Sequence, residues 1–201
     1  MSQSLKIGVL AFHGDVSEHV RATEQAAAAL KTSVTVSSVR TKTDAEGLDA
    51  LIIPGGESTT LYKLCEREGM IPTLQKIPAI FGTCAGAIML AKKINNPAPE
   101  QNSLGLMDIT VERNAYGRQT ESFETELETS FGSCPAIFIR APRIAKTGKS
   151  INVLAEYNAD IVACEERVDG KYYLALTFHP ELTTSKFHEY FLGKVITLYR
   201  S

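Results

Sequence analysis

Short apolar runs alternate with helix-forming stretches through the first half of the chain, and this alternation restricts the fold most. Residues 7–12, 50–53 and 79–81 are almost continuously apolar, as is typical of parallel strands covered on both faces. Residues 34–39 are rich in β-branched side chains, which favour strands. Three helices are predicted between and after these runs: from a cap at Asp15 or Ser17 to Leu30, from about 58 to 68, and from 85 to about 93.

The second half of the chain has shorter apolar runs and predicts a β-rich region from about 106 to 176, antiparallel on one side. The runs are 109–111, 136–139, 153–155, 161–163 and 172–174. Residues 185–199 predict a closing amphipathic helix, and the proline- and asparagine-rich segment 95–103 predicts a loop. The whole pattern predicts one α/β domain over residues 1–201, with a mostly parallel sheet and helices on both faces.

Charge and composition exclude several classes of protein. The net charge is -2, and without a cluster of basic residues we expect no nucleic-acid binding. No apolar stretch is long enough to span a bilayer, and no signal peptide is visible, so we expect no membrane association and a cytoplasmic location. The four cysteines lack zinc-site spacing, and we expect most of them to be small buried hydrophobes and the chain to need no metal or cofactor.

The segment Gly82-Thr83-Cys84-Ala85-Gly86 has the form G-x-C-x-G and lies directly between a predicted strand and a predicted helix. This is the context of a nucleophile elbow, here with cysteine. Such a turn places the thiol at a helix N-terminus, where the thiolate is favoured. Cys84 is therefore the candidate nucleophile. A tight glycine turn that holds an inert cysteine is the alternative interpretation.

The segment Phe178-His179-Pro180-Glu181 follows the apolar run that ends near residue 176. In an extended segment, residues two apart point the same way, so Glu181 is expected to accept a hydrogen bond from His179. That arrangement would make His179 a general base and Glu181 its orienting acid, as in a triad. A surface histidine beside a surface glutamate would give the same sequence, so this motif gains weight only together with Cys84.

A third segment, Pro54-Gly55-Gly56-Glu57-Ser58, ends a predicted strand at the same sheet edge. Glycine leaves backbone N–H groups unobstructed, and we expect the amides of Gly56 and Ala85 to hold a tetrahedral oxyanion. A turn followed by a helix capped by Ser58 explains the same residues. Arg113 and Arg140 are candidates to grip a substrate carboxylate through paired hydrogen bonds.

In these segments the chain resembles the glutaminase subunits of two-component pyridoxal 5'-phosphate synthases, which are class I, triad-type glutamine amidotransferases. The resemblance runs over nearly the whole chain and is carried by I-G-V-L-A with G-D at 7–15, G-G-E-S-T-T at 55–60, G-T-C-A-G at 82–86, R-N-A-Y-G-R-Q at 113–119, I-R-A-P at 139–142 and H-P-E-L at 179–182. It implies a flavodoxin-like, three-layer α/β/α fold.

The resemblance also implies functional roles and partners. Cys84, His179 and Glu181 would form the catalytic triad, and the glutamine site would be lined by Gly56, Glu57, Ser58, Arg113, Ile139 and Arg140. The substrate would be L-glutamine, and the ammonia would pass to a synthase (lyase) subunit that forms a dodecameric core of two six-membered rings. The family usually has glutamine at the position of His13, so the details of activation are open there.

Three other functions are alternatives to this one. A glutaminase of another biosynthetic pathway would share the triad but not the family-specific segments. A non-catalytic docking or regulatory subunit on the same fold would have no need of Cys84, His179 and Glu181 together. A peptidase would need an open groove, whereas the two arginines favour a small acidic substrate. We expect His19 and His188 to be ordinary helix residues and His13 to border the pocket.

Overall fold

The computed structural model describes residues 4–113, 115 and 122–200. For residue 200 it describes the backbone only. The strands are β1 (Leu5–Leu10), β2 (Val34–Val39), β3 (Ala50–Ile53), β4 (Ala79–Thr83), β5 (Ala91–Asn95), β6 (Met107–Glu112), β7 (Phe123–Thr129), β8 (Gly132–Phe138), β9 (Arg143–Thr147), β10 (Ile151–Tyr157), β11 (Asp160–Val168) and β12 (Lys171–Leu176). The helices are α1 (Val16–Ala29), α2 (Lys42–Ala45), α3 (Ser58–Arg67), α4 (Ile71–Leu74), α5 (Ala85–Leu90) and α6 (Lys186–Arg200), with a 3-10 turn at Pro180–Leu182.

One large sheet organises the described chain, in the strand order β2-β1-β3-β4-β12-β11-β9-β6-β5, with β10 pairing to β11. The pairs from β2 to β12 are parallel, whereas β12, β11, β9 and β6 are joined by antiparallel pairs. Strands β7 and β8 form a separate antiparallel hairpin. The predicted parallel half and the predicted antiparallel side are both confirmed.

Helices cover both faces of the sheet because side chains alternate along each buried strand. In β3, Leu51 and Ile53 pack in one apolar cluster with residues of α3 and α5. Ile52, between them, packs in a second cluster with residues of α1 and α6. The central strands are thus buried on two sides, which gives three layers and explains why their sequence is continuously apolar.

Two boundaries differ from the sequence-based predictions. The helix predicted from 85 to about 93 ends at Leu90, since residues 91–95 leave it to form β5 along β6. Pairing with β6 overrides the helix propensity of Ala91, Lys92 and Lys93. The first strand lies two residues earlier than predicted, at Leu5–Leu10. Within the described ranges, no helix combines the length and apolarity needed to cross a bilayer.

The carboxyl ends of β1, β3, β4 and β12 meet at one edge of the sheet, since these neighbouring strands are parallel. Ligands of open α/β sheets bind in the crevice outside this edge. The segments that follow these four strands contain His13, Gly56, Cys84 and His179. The topology therefore brings together the candidate residues that the sequence keeps far apart.

Candidate active site

Cys84 occupies the single residue between β4 and α5 and has φ 50° and ψ -104°. A non-glycine residue with positive φ is uncommon, and such strain clusters at functional sites. The backbone holds it in place: the Cys84 N–H donates to Leu176 O over 2.8 Å, and Ala87 N–H donates to Cys84 O over 3.1 Å. The predicted strand–turn–helix arrangement around the thiol is present.

The two glycines of G-x-C-x-G are required by close backbone approach. A β-carbon at Gly82 would lie 2.9 Å from the Ala87 nitrogen and would overlap the Gly86 carbonyl group. A β-carbon at Gly86 would overlap the carbonyl oxygen of Ile53, at the end of β3. The turn can therefore sit tightly between β3 and β4 only if both positions lack a side chain.

His179 and Glu181 lie at the start of the segment that follows β12. Nδ1 of His179 is 2.8 Å from Oε1 of Glu181, and both side chains are buried. The expected hydrogen bond is present, but the prediction that an extended backbone would make it was wrong. Pro180–Leu182 is a 3-10 turn instead, and this turn brings Glu181 back against the imidazole.

The surroundings of His179 favour the imidazolium. Burial alone would lower its pKa, but hydrogen bonds with Cys84 and Glu181 overcome that effect and raise the pKa to about 10. Burial likewise acts to raise the pKa of Glu181, yet its contacts with His19 and His179 hold it well below the usual value. The surroundings thus favour a protonated His179 and an ionised Glu181 beside Cys84.

A pocket of about 470 Å³ opens in front of Cys84 and His179. Every residue expected at the glutamine site lines it: Gly56, Glu57, Ser58, Arg113, Ile139 and Arg140. Of the remaining residues of the segment 113–119, only Ala115 belongs to the described chain; Asn114 and Tyr116 to Gln119 lie outside it. A cavity of this size suits a small ligand rather than a peptide chain.

Glu57, rather than Ser58, caps α3. Its carboxylate accepts from Thr59 N–H over 3.0 Å and from Thr60 N–H over 2.7 Å. Burial acts to raise its pKa, but these bonds and the one from the Thr60 hydroxyl lower it to about 2. Arg113 lies 3.4 Å from the same carboxylate. The alternative role of Ser58 as the cap is therefore wrong.

Gly56 lines the pocket and has φ 130°, a conformation that suits glycine. A β-carbon there would overlap the ring of His13, and one at Gly55 would overlap the ring of His179. His13 thus packs beside the pocket, as expected, and its Nε2 is buried with no partner among the described residues. The two glycines are thus each packed against a ring, Gly56 against His13 and Gly55 against His179, and neither position has room for a side chain.

Sequence reasoning missed several pocket residues. Gly14, Asp15, Gly55, Ile88 and Pro142 also line the cavity, and Oδ2 of Asp15 lies 3.5 Å from Nδ1 of His179. The Gly-Asp pair belongs to the opening segment of the family pattern, which was the available signal. Asp15, His179 and Glu181 form the one described group with metal-ligand spacing, but the bond from His179 to Glu181 already occupies Nδ1.

The other three cysteines are fully buried. Burial raises the pKa of Cys65 and of Cys164 to about 12 and also raises that of Cys134. Thiols of this kind are inert at neutral pH. The expectation that most cysteines are small buried hydrophobes is confirmed, and Cys84 is set apart by its place in the pocket.

A model of the SNO glutamine amidotransferase family matches residues 9–197. The chain belongs to this family. It is 46% identical over 200 residues to pyridoxal 5'-phosphate synthase subunit PdxT of Korarchaeum cryptofilum, covering 96% of this chain and 99% of that protein. It is 48% identical over 199 residues to the subunit of the same name from Thermotoga neapolitana, covering 95% and 100%.

A solved structure of a glutamine amidotransferase has a TM-score of 0.80 and 45% identity to this chain, and covers 94% of this chain and 98% of its own. The family resemblance seen in the sequence is therefore confirmed. The α/β fold with a mostly parallel sheet and flanking helices, expected from both the pattern and the resemblance, is confirmed with it.

Proposed function

We propose that the chain hydrolyses L-glutamine to L-glutamate and ammonia, with Cys84 as nucleophile, His179 as general base and acid, and Glu181 as orienting acid. One observation carries the proposal: a strained cysteine lines one pocket together with a histidine that is hydrogen-bonded to a buried glutamate. The family match, which covers residues 9–197, supports the same chemistry. The whole chain, residues 1–201, would act as one glutaminase domain.

In the first half of the reaction, the thiol proton of Cys84 passes to His179, and the resulting thiolate attacks the carbon of the glutamine side-chain amide. The C–N bond breaks as His179 gives its proton to the departing ammonia, and a γ-glutamyl thioester remains on Cys84. In the second half, His179 takes a proton from water, which attacks the thioester. Glutamate leaves, and the free enzyme is restored. Throughout, the Glu181 carboxylate fixes the ring orientation and stabilises the imidazolium.

The oxyanion of each tetrahedral intermediate would be held by the backbone amides of Gly56 and Ala85. Gly56 lies in the segment after β3 and lines the pocket, and Ala85 begins α5 directly after Cys84. One such donor contributes about a hundredfold to a thousandfold in rate. Arg113 and Arg140 line the same pocket, and we assign them to the α-carboxylate of glutamine because guanidinium groups bind carboxylates in two-bond pairs.

The ammonia would be delivered to a pyridoxal 5'-phosphate synthase subunit. This partner is supported by the names of relatives that are 46% and 48% identical over nearly their full length. We propose that the partner forms a dodecameric core of two six-membered rings to which this chain docks. The cytoplasmic location expected from the sequence remains a prediction, as does the absence of a nucleic-acid partner.

The alternative of a non-catalytic docking subunit fits the fold equally well, since fold alone does not fix function. It gives no reason for a positive φ at Cys84 or for the buried bond between His179 and Glu181. A glutaminase of another pathway would use the same pocket and would differ in its partner.

Glutamate release from glutamine tests the proposal, measured with and without a purified pyridoxal 5'-phosphate synthase subunit. The account predicts release that the synthase subunit stimulates and that Cys84→Ala abolishes. Ser133→Ala, on the separate β-hairpin, is the matched surface control and should behave as the wild type. No release in any combination, with the complex shown to form, would establish the docking subunit. Release without stimulation would point to another pathway.

A further inference from the structure

Two buried histidines stand behind the proposed triad, on the side away from the pocket. Nε2 of His19, on α1, lies 3.4 Å from Oε1 of Glu181, and both side chains are completely buried. Nδ1 of His19 lies 2.9 Å from Nε2 of His188, on α6. A chain of polar contacts therefore runs from Cys84 through His179, Glu181 and His19 to His188.

The imidazole rings of His179 and His19 both contact Oε1 of Glu181. His179 Nδ1 approaches it at 2.8 Å from the pocket side, and His19 Nε2 approaches it from the interior. Oε2 has no partner among the described residues. A buried carboxylate that lacks donors is costly, so the contact from His19 is the only described side-chain support for Glu181 other than the base itself.

The protons of the histidine pair can be assigned by counting hydrogen bonds. Burial lowers the pKa of His188 to about 3, so His188 is neutral. Its Nδ1 has no partner among the described residues. If the proton of His188 is on Nε2, then Nδ1 is an acceptor without a partner, and burying such an acceptor costs less free energy than burying an unpaired N–H. His188 then donates to Nδ1 of His19, and the His19 proton lies on Nε2, facing Glu181.

The pair is held rigidly by the core. Nε2 of His19 also lies 3.2 Å from the hydroxyl oxygen of Thr83, the residue before Cys84. The His188 ring packs edge-on against Phe81, with 5.3 Å between centroids. Because α1 and α6 pack together, His19 and His188 are fixed with respect to β4, which also carries the nucleophile turn.

We propose that His19 is a positioning residue for glutamine hydrolysis: it donates to Glu181 and thereby fixes the acid that orients His179, while His188 holds His19 in the required tautomer. The inference rests on the proposed function. An ordinary packing role for the two histidines is the competing explanation. That role predicts loss of stability without a specific loss of turnover or of Cys84 reactivity.

Two substitutions at His19 separate these explanations. His19→Leu removes the donor, whereas His19→Gln can place an amide N–H near the position of Nε2. Thr23→Val is the matched control, because Thr23 is also fully buried on α1 and bonds only the His19 carbonyl oxygen among the described residues. His188→Leu tests the second member of the pair and stands in for His19→Leu if that variant does not fold.

Each variant is assayed in two ways: glutamine turnover in complex with the synthase subunit, and the rate at which iodoacetamide alkylates Cys84, followed by mass spectrometry. We expect His19→Leu to lower kcat about 30-fold, with KM within about twofold, and to slow Cys84 alkylation at least fivefold. His19→Gln should recover most of both losses. His188→Leu should show smaller losses in the same direction, and Thr23→Val should match the wild type.

The outcomes distinguish the two proposals. If the wild type hydrolyses no glutamine, the proposed function fails, but slower alkylation in His19→Leu and recovery in His19→Gln would still support the positioning role. If His19→Leu matches Thr23→Val in both kcat and alkylation at equal stability, His19 is a packing residue and the inference is overturned. A rise in KM alone would overturn it as well.

Discussion

Gly86→Ala should damage both the stability and the activity of this protein. An added β-carbon would overlap the Ile53 carbonyl oxygen and lie 3.0 Å from the Ile53 carbonyl carbon and 3.2 Å from its Cβ. Ile53 belongs to a fully buried central strand and cannot retreat. Forcing one extra carbon into a packed core costs about 1–3 kcal/mol. Because the overlap here is with backbone atoms, we expect a cost of about 3 kcal/mol.

The strain would be relieved mainly by moving α5 away from β3. Cys84 is the residue before α5, and Gly56 follows β3, so this movement separates the thiol from one proposed oxyanion donor. Misplacement by about 1 Å costs about a hundredfold in rate. We therefore expect thermal unfolding about 6–12 °C lower and a kcat at least tenfold lower, measured by calorimetry and by glutamate release.

Gly193→Ala is the matched control. Gly193 lies within α6, and a β-carbon there meets no atom within 4 Å. Alanine in a helix is more stable than glycine by about 0.5–1 kcal/mol, so this variant should unfold at a slightly higher temperature with unchanged kcat. The steric argument is refuted if Gly86→Ala and Gly193→Ala have the same stability and turnover.

Three further predictions concern charge. Because the pKa of His179 is raised from 6.5 to about 10, the stability that His179 contributes is complete below pH 6.5 and is lost as the pH rises to about 10. The free energy of unfolding, measured with denaturant, should fall over this pH range, and it should fall less in Cys84→Ala. The absence of such a fall would show that the fold does not stabilise the imidazolium. The pKa of Glu57 is lowered from 4.5 to about 2, so Glu57→Ala should lower the free energy of unfolding by about 1 kcal/mol above pH 4.5. This difference between variant and wild type should disappear as the pH falls toward 2. A difference that stays constant with pH would contradict an ionised Glu57 cap. Arg113→Lys should raise KM for glutamine about tenfold with little change in kcat, and an unchanged KM would remove Arg113 from the carboxylate site.

The turn that holds Cys84 and the hydrogen bond between His179 and Glu181 were predictable because their determinants are local in the sequence. The glycines around Cys84 are required by contacts within a few residues and with one neighbouring strand, and Glu181 lies two residues from His179. The alternation of apolar runs likewise predicts the parallel strands. Such features depend on short-range geometry, which a single sequence records directly.

Features that depend on distant partners were not predictable. Residues 91–95 become a strand only because β6 lies beside them. The strands β7 and β9 carry polar residues at many positions, and neither was predicted. His19 resembles any buried histidine of an amphipathic helix. Its contact with Glu181 arises from the packing of α1 against the 3-10 turn after β12, which no local pattern indicates.

Covalent trapping tests the central claim, that Cys84 is the nucleophile for glutamine, most directly. The complex is treated with a glutamine-like electrophile and the labelled peptide is identified by mass spectrometry. The account predicts one label per chain, on Cys84, which excess glutamine prevents and which His179→Ala greatly slows. A label on Cys65, Cys134 or Cys164, or labelling of Cys84 that glutamine does not prevent, would contradict the account.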